Sequence, residues 1–567
     1  MVLSHTSLHA LSDIYIYICK ITLSNEVPFR CVEKEGLTEL CQEFQPKFQM
    51  PSRWTAARDC YGIYKEQANI LTKYFKTSKV HVSFTTDCWT SMQNNNYMCL
   101  TAHWIDDDWI LQKRILNFCE IKDHRGESIA KQIEDCLFQW GIDKVFTIIV
   151  DNATANDSAI AILKMRFKSW DGFAMVCDWE FLQMRCAAHI LNLVVSEGLK
   201  EMNKSIELIR HAVKYVKSSP SRKRKFIMLA ERERVESKSL LTLDCPTRWN
   251  STYLMLESAV KFVKVFTWME EEDEEYKQYF KKKNIDSSRD TFILIDAREG
   301  VDDVLDDTTT RRSVEPTIMP PSAYDWSTAN EFLGFLKLFY NMTLKFSRSN
   351  YVTSNTCFQH IVSIQTSLES NANSSHSLLG HMSRRMLSKF NKYWGSPKKM
   401  NPLLVVAVIL DPRYKLTYVK VAFANLFHEP TKCEAMLRKI TTLLYHLYDH
   451  YSTTVHVGES SSQPTSEQGD HVELELEVPL ASGDATFQKF LTQANAESNV
   501  EKISEVDEYL RAELIGYRDS KFDLLAWWKA NACKYKVLSL RFKKNVKFKD
   551  AFKDQTSLPL MNSSLKV

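Results

Sequence analysis

Two aspartates stand where chemistry is to be expected. In "FTTDCWTS", Asp87 follows the apolar Val80, Val82 and Phe84 and precedes a Cys-Trp-Thr-Ser stretch that reads as a turn. In "IIVDNATAND", Asp151 closes an almost unbroken apolar run. Brought together, two carboxylates could share Mg²⁺, and a pair of such ions about 3.5–4 Å apart clamps the attacking and leaving oxygens of a phosphodiester. The competing reading is that Asp87 caps the turn before Trp89 and Asp151 caps the next helix, since acids at element ends satisfy backbone donors.

Three further groups invite the same question. Cys186 and His189 in "RCAAHILNLVV" form half a zinc site, but no second pair follows at ligand spacing, so core packing or a local hydrogen bond competes with metal. Arg248 and Trp249 in "DCPTRWNSTYLML" open an amphipathic helix, where a Trp ordinarily packs. "KSSPSRKRKF" concentrates Lys217, Arg222, Lys223, Arg224 and Lys225, a cluster suited to phosphates or nuclear import and equally to a solvated face.

The elements that must position these residues are legible from periodicity. Residues 30–78 read as helical, with Ser52 as a cap for "RWTAARDCYGIYKEQANILTKYF". Alternation from Val80 to Phe84 and from Met98 to Trp104, with an extended run over 110–121, reads as three strands, separated by Asn94–Asn96 and Asp106–Asp108 turns. "ESIAKQIEDCLFQWGI" reads as a helix stopped at Gly141, and "KVFTIIVD" as a strand covered on both faces. "LSDIYIYICKITLS" alternates like a strand, too short and too charged for a membrane span and without the flanks of a signal peptide.

Composition bounds the rest. With 567 residues, 44% hydrophobic and 25% charged, the chain can bury a large core, and a net charge of +3 by itself argues for no nucleic-acid partner. Fourteen scattered cysteines without a CxxC pair fit reduced thiols inside a cell. "EEEDEEYKQYFKKKN", "DAREGVDDVLDDTTTRR" and "HVGESSSQPTSEQGDHVELELE" read as solvated or disordered linkers. Asp411 in "ILDPRYKL" reads as a cap or turn acid, with Pro412 setting the break.

Strand, strand, strand, helix, strand is the order of the ribonuclease H-like fold, which implies that the fourth strand lies beside the first and Asp87 beside Asp151. "FTTDCWTS", "IIVDNATAND", "RCAAHILNLVV", "DCPTRWNSTYLML", "KYWG", "NPLLVVAVILDPRYKL" and "FDLLAWWKANACKYKVLS" occur in this order over roughly residues 28–540, and together they resemble the hAT transposase superfamily of the plant zinc finger BED, RICESLEEPER-like kind.

The resemblance implies a nuclear DNA-binding protein with an α/β ribonuclease H-like mixed-sheet core interrupted by a large helical insertion, no membrane anchor, and a C-terminal dimerisation region. It places the first two catalytic acids at Asp87 and Asp151, with Mg²⁺ as their cofactor if they act. Cys186 and His189 match its Cys-x-x-His pair, and Arg248 and Trp249 its Arg-Trp pair, whose Trp stacks on a flipped base in active members. Leu524, Trp527 and Trp528 become the dimer face, toward a second copy or a longer relative. The implied organisation is an N-terminal extension over 1–27, a helical segment over 28–78, the core over 79–200 and the insertion over 201–450 with an acidic linker near 270–320. A Ser/Glu-rich linker over 451–500, the dimerisation region over 501–540 and a basic tail over 541–567 complete it.

The chain departs from the family pattern at two places. The third acid of the family is a glutamate beyond the dimerisation helix, whereas the last glutamate here is Glu513, and the tail "RFKKNVKFKDAFK" is basic. No Cys/His quartet precedes residue 28, so no zinc site is expected. A DNA-binding, dimerising protein without transposition activity is therefore expected, against an active transposase or a generic ribonuclease H-like nuclease.

Overall fold

The computed structural model describes residues 16–23, 27–286, 319–459 and 504–545, apart from short interior gaps at 47, 79, 92, 171–179, 236, 238–240, 348–353, 375–376, 397–399 and 517–521. Of the expected linkers, 287–318 and 460–503 lie outside these residues, as does the tail from 546 onward with Lys547 and Lys549. The chain divides into two compact units, one taking in residues up to 80 together with 133–144, the other 81–132 together with 145–552.

The first unit is helical. Helix Arg53–Thr77 is capped by Ser52, whose Oγ accepts from the Thr55 amide at 3.2 Å. Glu33 reaches the helix start with both oxygens, one on the Arg53 amide and one on its Nε, each at 2.7 Å. Residues 16–23 are helical, which corrects the expected strand. Ile and Tyr alternate there without any polar face to fix a period of two, and Ile18 is instead buried with Val32, Phe48 and Ala56. Gly141 stops the preceding helix as expected. Its φ of +65° favours glycine, and a Cβ there would meet the Lys76 side chain at 2.7 Å.

The second unit carries the sheet, with strands β1 (Val82–Thr90), β2 (Asn96–Ile105), β3 (Leu111–Glu120), β4 (Val145–Val150) and β5 (Gln183–Arg185) in the order β3-β2-β1-β4-β5. The first two pairings are antiparallel, and β1-β4 and β4-β5 are parallel. All six residues of β4 are buried, as the unbroken apolar run requires. In the β2–β3 turn, Asp106 Oδ1 accepts from the Asp108 and Ile110 amides at 3.0 and 2.9 Å.

Helices from Thr154–Lys168 to Lys536–Asn545 complete this unit around one hydrophobic core that runs from Phe146 and Ile149 of the sheet to Trp528 and Phe542. The acidic block read as linker is helical in its described part, over Val263–Glu272 and Glu274–Asp286. Tyr276 and Phe280, four residues apart, are buried and supply the packing face that its charge conceals.

Helix Pro402–Ile409 is buried at all eight positions and capped by Asn401, whose Nδ2 donates to the Gln183 carbonyl at 3.2 Å and so ties the helix to β5. After it, Asp411 is a turn acid and more. Fully buried, it accepts from Asn355 Nδ2 at 2.8 Å and from the Arg413 guanidinium at 3.0 and 2.7 Å. Lys415, also buried, donates to the carbonyls of Tyr509 and Ala512 at 2.7 and 2.6 Å, and Trp528 Nε1 donates to that of Leu410 at 3.0 Å. Tyr445 adds a bond to Asp507 at 2.6 Å. The segment from 504 onward is thereby fastened to helices more than 50 residues earlier.

Candidate functional site at the carboxyl edge of the sheet

Because β1, β4 and β5 are mutually parallel, their carboxyl ends share one edge. The β1–β4 register pairs Thr85 with Ile149. Carried two residues past that last pair, beyond the end of β4 at Val150, the register would bring Asp87 beside Asp151, on strands about 4.8 Å apart. Cys88 senses both acids. Burial first, then the charges of Asp87 and Asp151, pushes its thiol up to about 12.

Asp87 is exposed and lies inside β1, opposite Cys99 on β2, so it caps no turn. The strand continues to Thr90 because Trp89 stacks on Tyr97 and tilts against Phe118, a cross-strand aromatic cluster that extends pairing past the acid. Asp151 both ends a strand and starts a turn. Its Oδ1 accepts from the Ala153 amide at 2.8 Å and from Asn156 Nδ2 at 2.6 Å. The helix that follows, Thr154–Lys168, is entered through this bond, and the carboxylate is held in place at the edge.

Next to this turn stands Arg185, which no period or motif in the sequence marks as functional. Val150 pairs with Arg185, the last residue of β5, so the edge presents Asp87, Asp151 and Arg185 on consecutive strands. The Arg185 guanidinium is 3.1 Å from Asn152 Oδ1 and from both oxygens of Asp157, which also accepts from Gln183 at 2.5 Å. A three-residue strand carries no periodicity, and the only signal was the arginine immediately before the Cys-x-x-His motif.

Oxygen donors on adjacent strands suit Mg²⁺, which binds through one or two carboxylates plus substrate phosphates. Among the described residues no group of three His, Cys, Asp or Glu side chains is placed to hold a metal. The residues present thus fit one ion completed by substrate, which when bound would neutralise phosphoryl oxygens; they do not make a full two-ion cage.

Cys186 and His189 sit behind this edge. The Cys186 amide donates to the Val150 carbonyl at 2.9 Å, the side chain is buried, and His189 encloses an Nε2 with no hydrogen-bond partner among the described residues. The Cys186 amide ties the turn from β5 into helix Ala187–Leu199 to the end of β4, just before Asp151.

Trp249 is 3% exposed, edge-on to Tyr253, at the first position of helix Trp249–Val260. Its indole serves the core and offers no face to a base in this structure. Arg248, half-buried, precedes it as the cap residue. The basic cluster is divided. Arg222 lies over the Tyr215 ring and 3.9 Å from Glu275, and Lys225 is 3.0 Å from Asp273, whereas Lys223 and Arg224 are exposed.

The dimer face is corrected. Leu524 and Trp528 are buried in this chain's own core, with Trp528 stacked on Phe542 at 5.0 Å, and Trp527 is half-buried against Trp528 and Tyr509. Tryptophans on the short helix Leu524–Ala530 look unpartnered in sequence because their partners, from Leu410 to Phe542, are remote or follow later.

A ribonuclease H-like sheet with paired aspartates at its carboxyl edge, enlarged by a helical domain, defines a transposase-type core. Residues 85–175 match the ZBED1 RNase-like domain, 184–291 the ZBED1 RNase-like helical domain and 355–451 the hAT-like transposase, RNase-H fold. The chain is 30% identical to an AC transposase of Zea mays over 91% of its own length and 58% of that protein. It is 26% identical to the zinc finger BED domain-containing protein RICESLEEPER 2 of Oryza sativa and 25% to DAYSLEEPER of Arabidopsis thaliana, in each case over 92% of this chain and 66% of the relative. It thus spans under two thirds of these relatives. The chain belongs to the hAT transposase family.

Proposed function

We propose that this chain is a nuclear DNA-binding protein of the hAT type that does not cut DNA with the groups described here. The observation that supports the reading is that the β1–β4 register runs toward Asp87 and Asp151 while, among the described residues, no group of three His, Cys, Asp or Glu side chains is placed to hold a metal. Two carboxylates can dock one Mg²⁺ against a phosphate. They leave the second ion of a two-ion displacement without ligands.

DNA binding is supported by family membership and by Lys223 and Arg224, whose charges face solvent. The same two residues support nuclear import. Self-association is retained with Trp527, the half-buried member of its trio, as the residue left to a partner.

The testing experiment incubates purified chain with Mg²⁺ and a labelled duplex carrying a hairpin end, measuring retention and nicking together. Retention without nicking is expected. Nicking abolished by Asp87→Asn would establish the second reading, an active transposase, which the Asp87–Asp151 juxtaposition favours.

A further inference from the structure

Next to Arg185 the second unit contains a cavity of about 210 Å³ whose lining changes character from floor to rim. Met184, Ile190 and Leu404 make the floor apolar, and Tyr393 and Trp394 wall it with aromatic rings. Gln183, Arg185, Asn401 and Lys439 place amides and cations at the rim, and Glu180, 3.9 Å from Lys439, is the carboxylate among them. Lys439 and Glu180 are about half exposed, so this ion pair is a weak lock. A mostly polar slot with an apolar floor and an aromatic wall suits a flat ring with hydrogen-bonding edges. The volume falls below the roughly 300 Å³ at which drug-sized clefts begin, which admits one ring system and little more.

Two relationships say what the ring belongs to. Arg185 lines the cavity and also pairs with Val150 and donates to Asn152, the residues on either side of Asp151, so one side chain joins the slot to the acidic edge. On its far side the slot adjoins a wider groove of about 690 Å³ that shares Glu180, Phe181 and Lys439 with it. Arg438 and His446 stand along that groove, with Glu434 as its further acid. A polyanion laid across the edge would therefore meet Arg185, then Lys439 and Arg438.

We propose that this cavity is a subsite for one base of single-stranded DNA, whose backbone passes from the Asp87–Asp151 edge over Arg185 and Lys439 into the groove. It rests on the DNA-binding reading above and adds to it a place where a base leaves its stack. Tyr393 supplies the stacking face, Gln183 and Asn401 meet the edge of the ring, and Lys439 meets a phosphate. Trp249, enclosed in the core, plays no part.

The test compares two fluorescent probes by anisotropy with the whole purified chain: a single-stranded oligodeoxynucleotide, and an oligomer of equal length and charge in which every nucleotide is abasic. The base-bearing probe should bind roughly tenfold tighter, the worth of one base–aromatic stack. Tyr393→Ala, with an unchanged circular dichroism spectrum, should abolish that preference and leave the abasic affinity as it was. Lys439→Ala, at an exposed position that folding does not need, should weaken both probes alike and lower the salt slope by about 0.7. Equal wild-type binding of the two probes, a preference that survives Tyr393→Ala, or no effect of Lys439→Ala overturns the subsite while DNA binding stands. Binding of neither probe overturns both.

Discussion

Arg210 grips both carboxylate oxygens of Asp244, with Nε 2.9 Å from Oδ1 and an Nη nitrogen 2.7 Å from Oδ2, and the Asp244 side chain has no exposed surface. Thr252 adds a bond to the same carboxylate at 2.8 Å. The stretch that leads into Arg248 and Trp249 is thus held by a buried ion pair. Removing one partner strands the other, so Asp244→Ala should lower stability by about 3 kcal/mol, read as a shift of the urea midpoint. Glu207, 2.7 Å from Arg210, keeps that guanidinium paired and so limits the loss.

His360 gives the fold an acid limit. Burial against Phe346, and secondarily the Lys345 charge, lowers its pKa to about 4 from an ordinary 6.5. Between those values the unfolded chain takes up a proton that the folded chain refuses. This contribution is therefore fully present above pH 6.5 and lost progressively as pH falls to 4, by about 3 kcal/mol. A midpoint-against-pH series should show the decline, and His360→Phe should flatten it over that window.

Trp249→Ala and Trp528→Ala should each cost about 3–5 kcal/mol, because both indoles fill the core. Thermal melts check the cost, and anisotropy on the folded fraction checks DNA. If Trp249 held a base, its variant would lose affinity beyond the unfolded share, and the enclosed geometry leads us to expect no such excess.

The split of the basic cluster predicts unlike outcomes for neighbouring residues. Charge reversal of exposed Lys223 and Arg224 should weaken duplex binding and lower the slope of log K against log salt by about 2, with little change in stability. Reversal of Lys225 should instead lower the melting temperature, since it leaves the buried Asp273 carboxylate facing a second negative charge.

Sheet and site were unequally legible. Strands β1 to β4 announced themselves by alternation or by an unbroken apolar run, and their order pointed to the paired aspartates. The three-residue β5 is too short for any period, so nothing in the spacing marks Arg185, although it borders the Cys-x-x-His motif. "IYIYIC" misled because alternation without a polar face does not distinguish a strand from a helix. The acidic block hid Tyr276 and Phe280 among its charges. Ion pairs such as Arg210–Asp244 and the lysine clasp at Lys415 join residues 34 to 97 positions apart, a relation that spacing along a chain does not encode.

The clasp at Lys415 has a further consequence. Covalent continuity between 459 and 504 is not what keeps the last helices attached, because Lys415, Leu410 and Tyr445 grip them directly. A chain nicked by protease in that interval should elute as one particle and separate into two peptides only in denaturant.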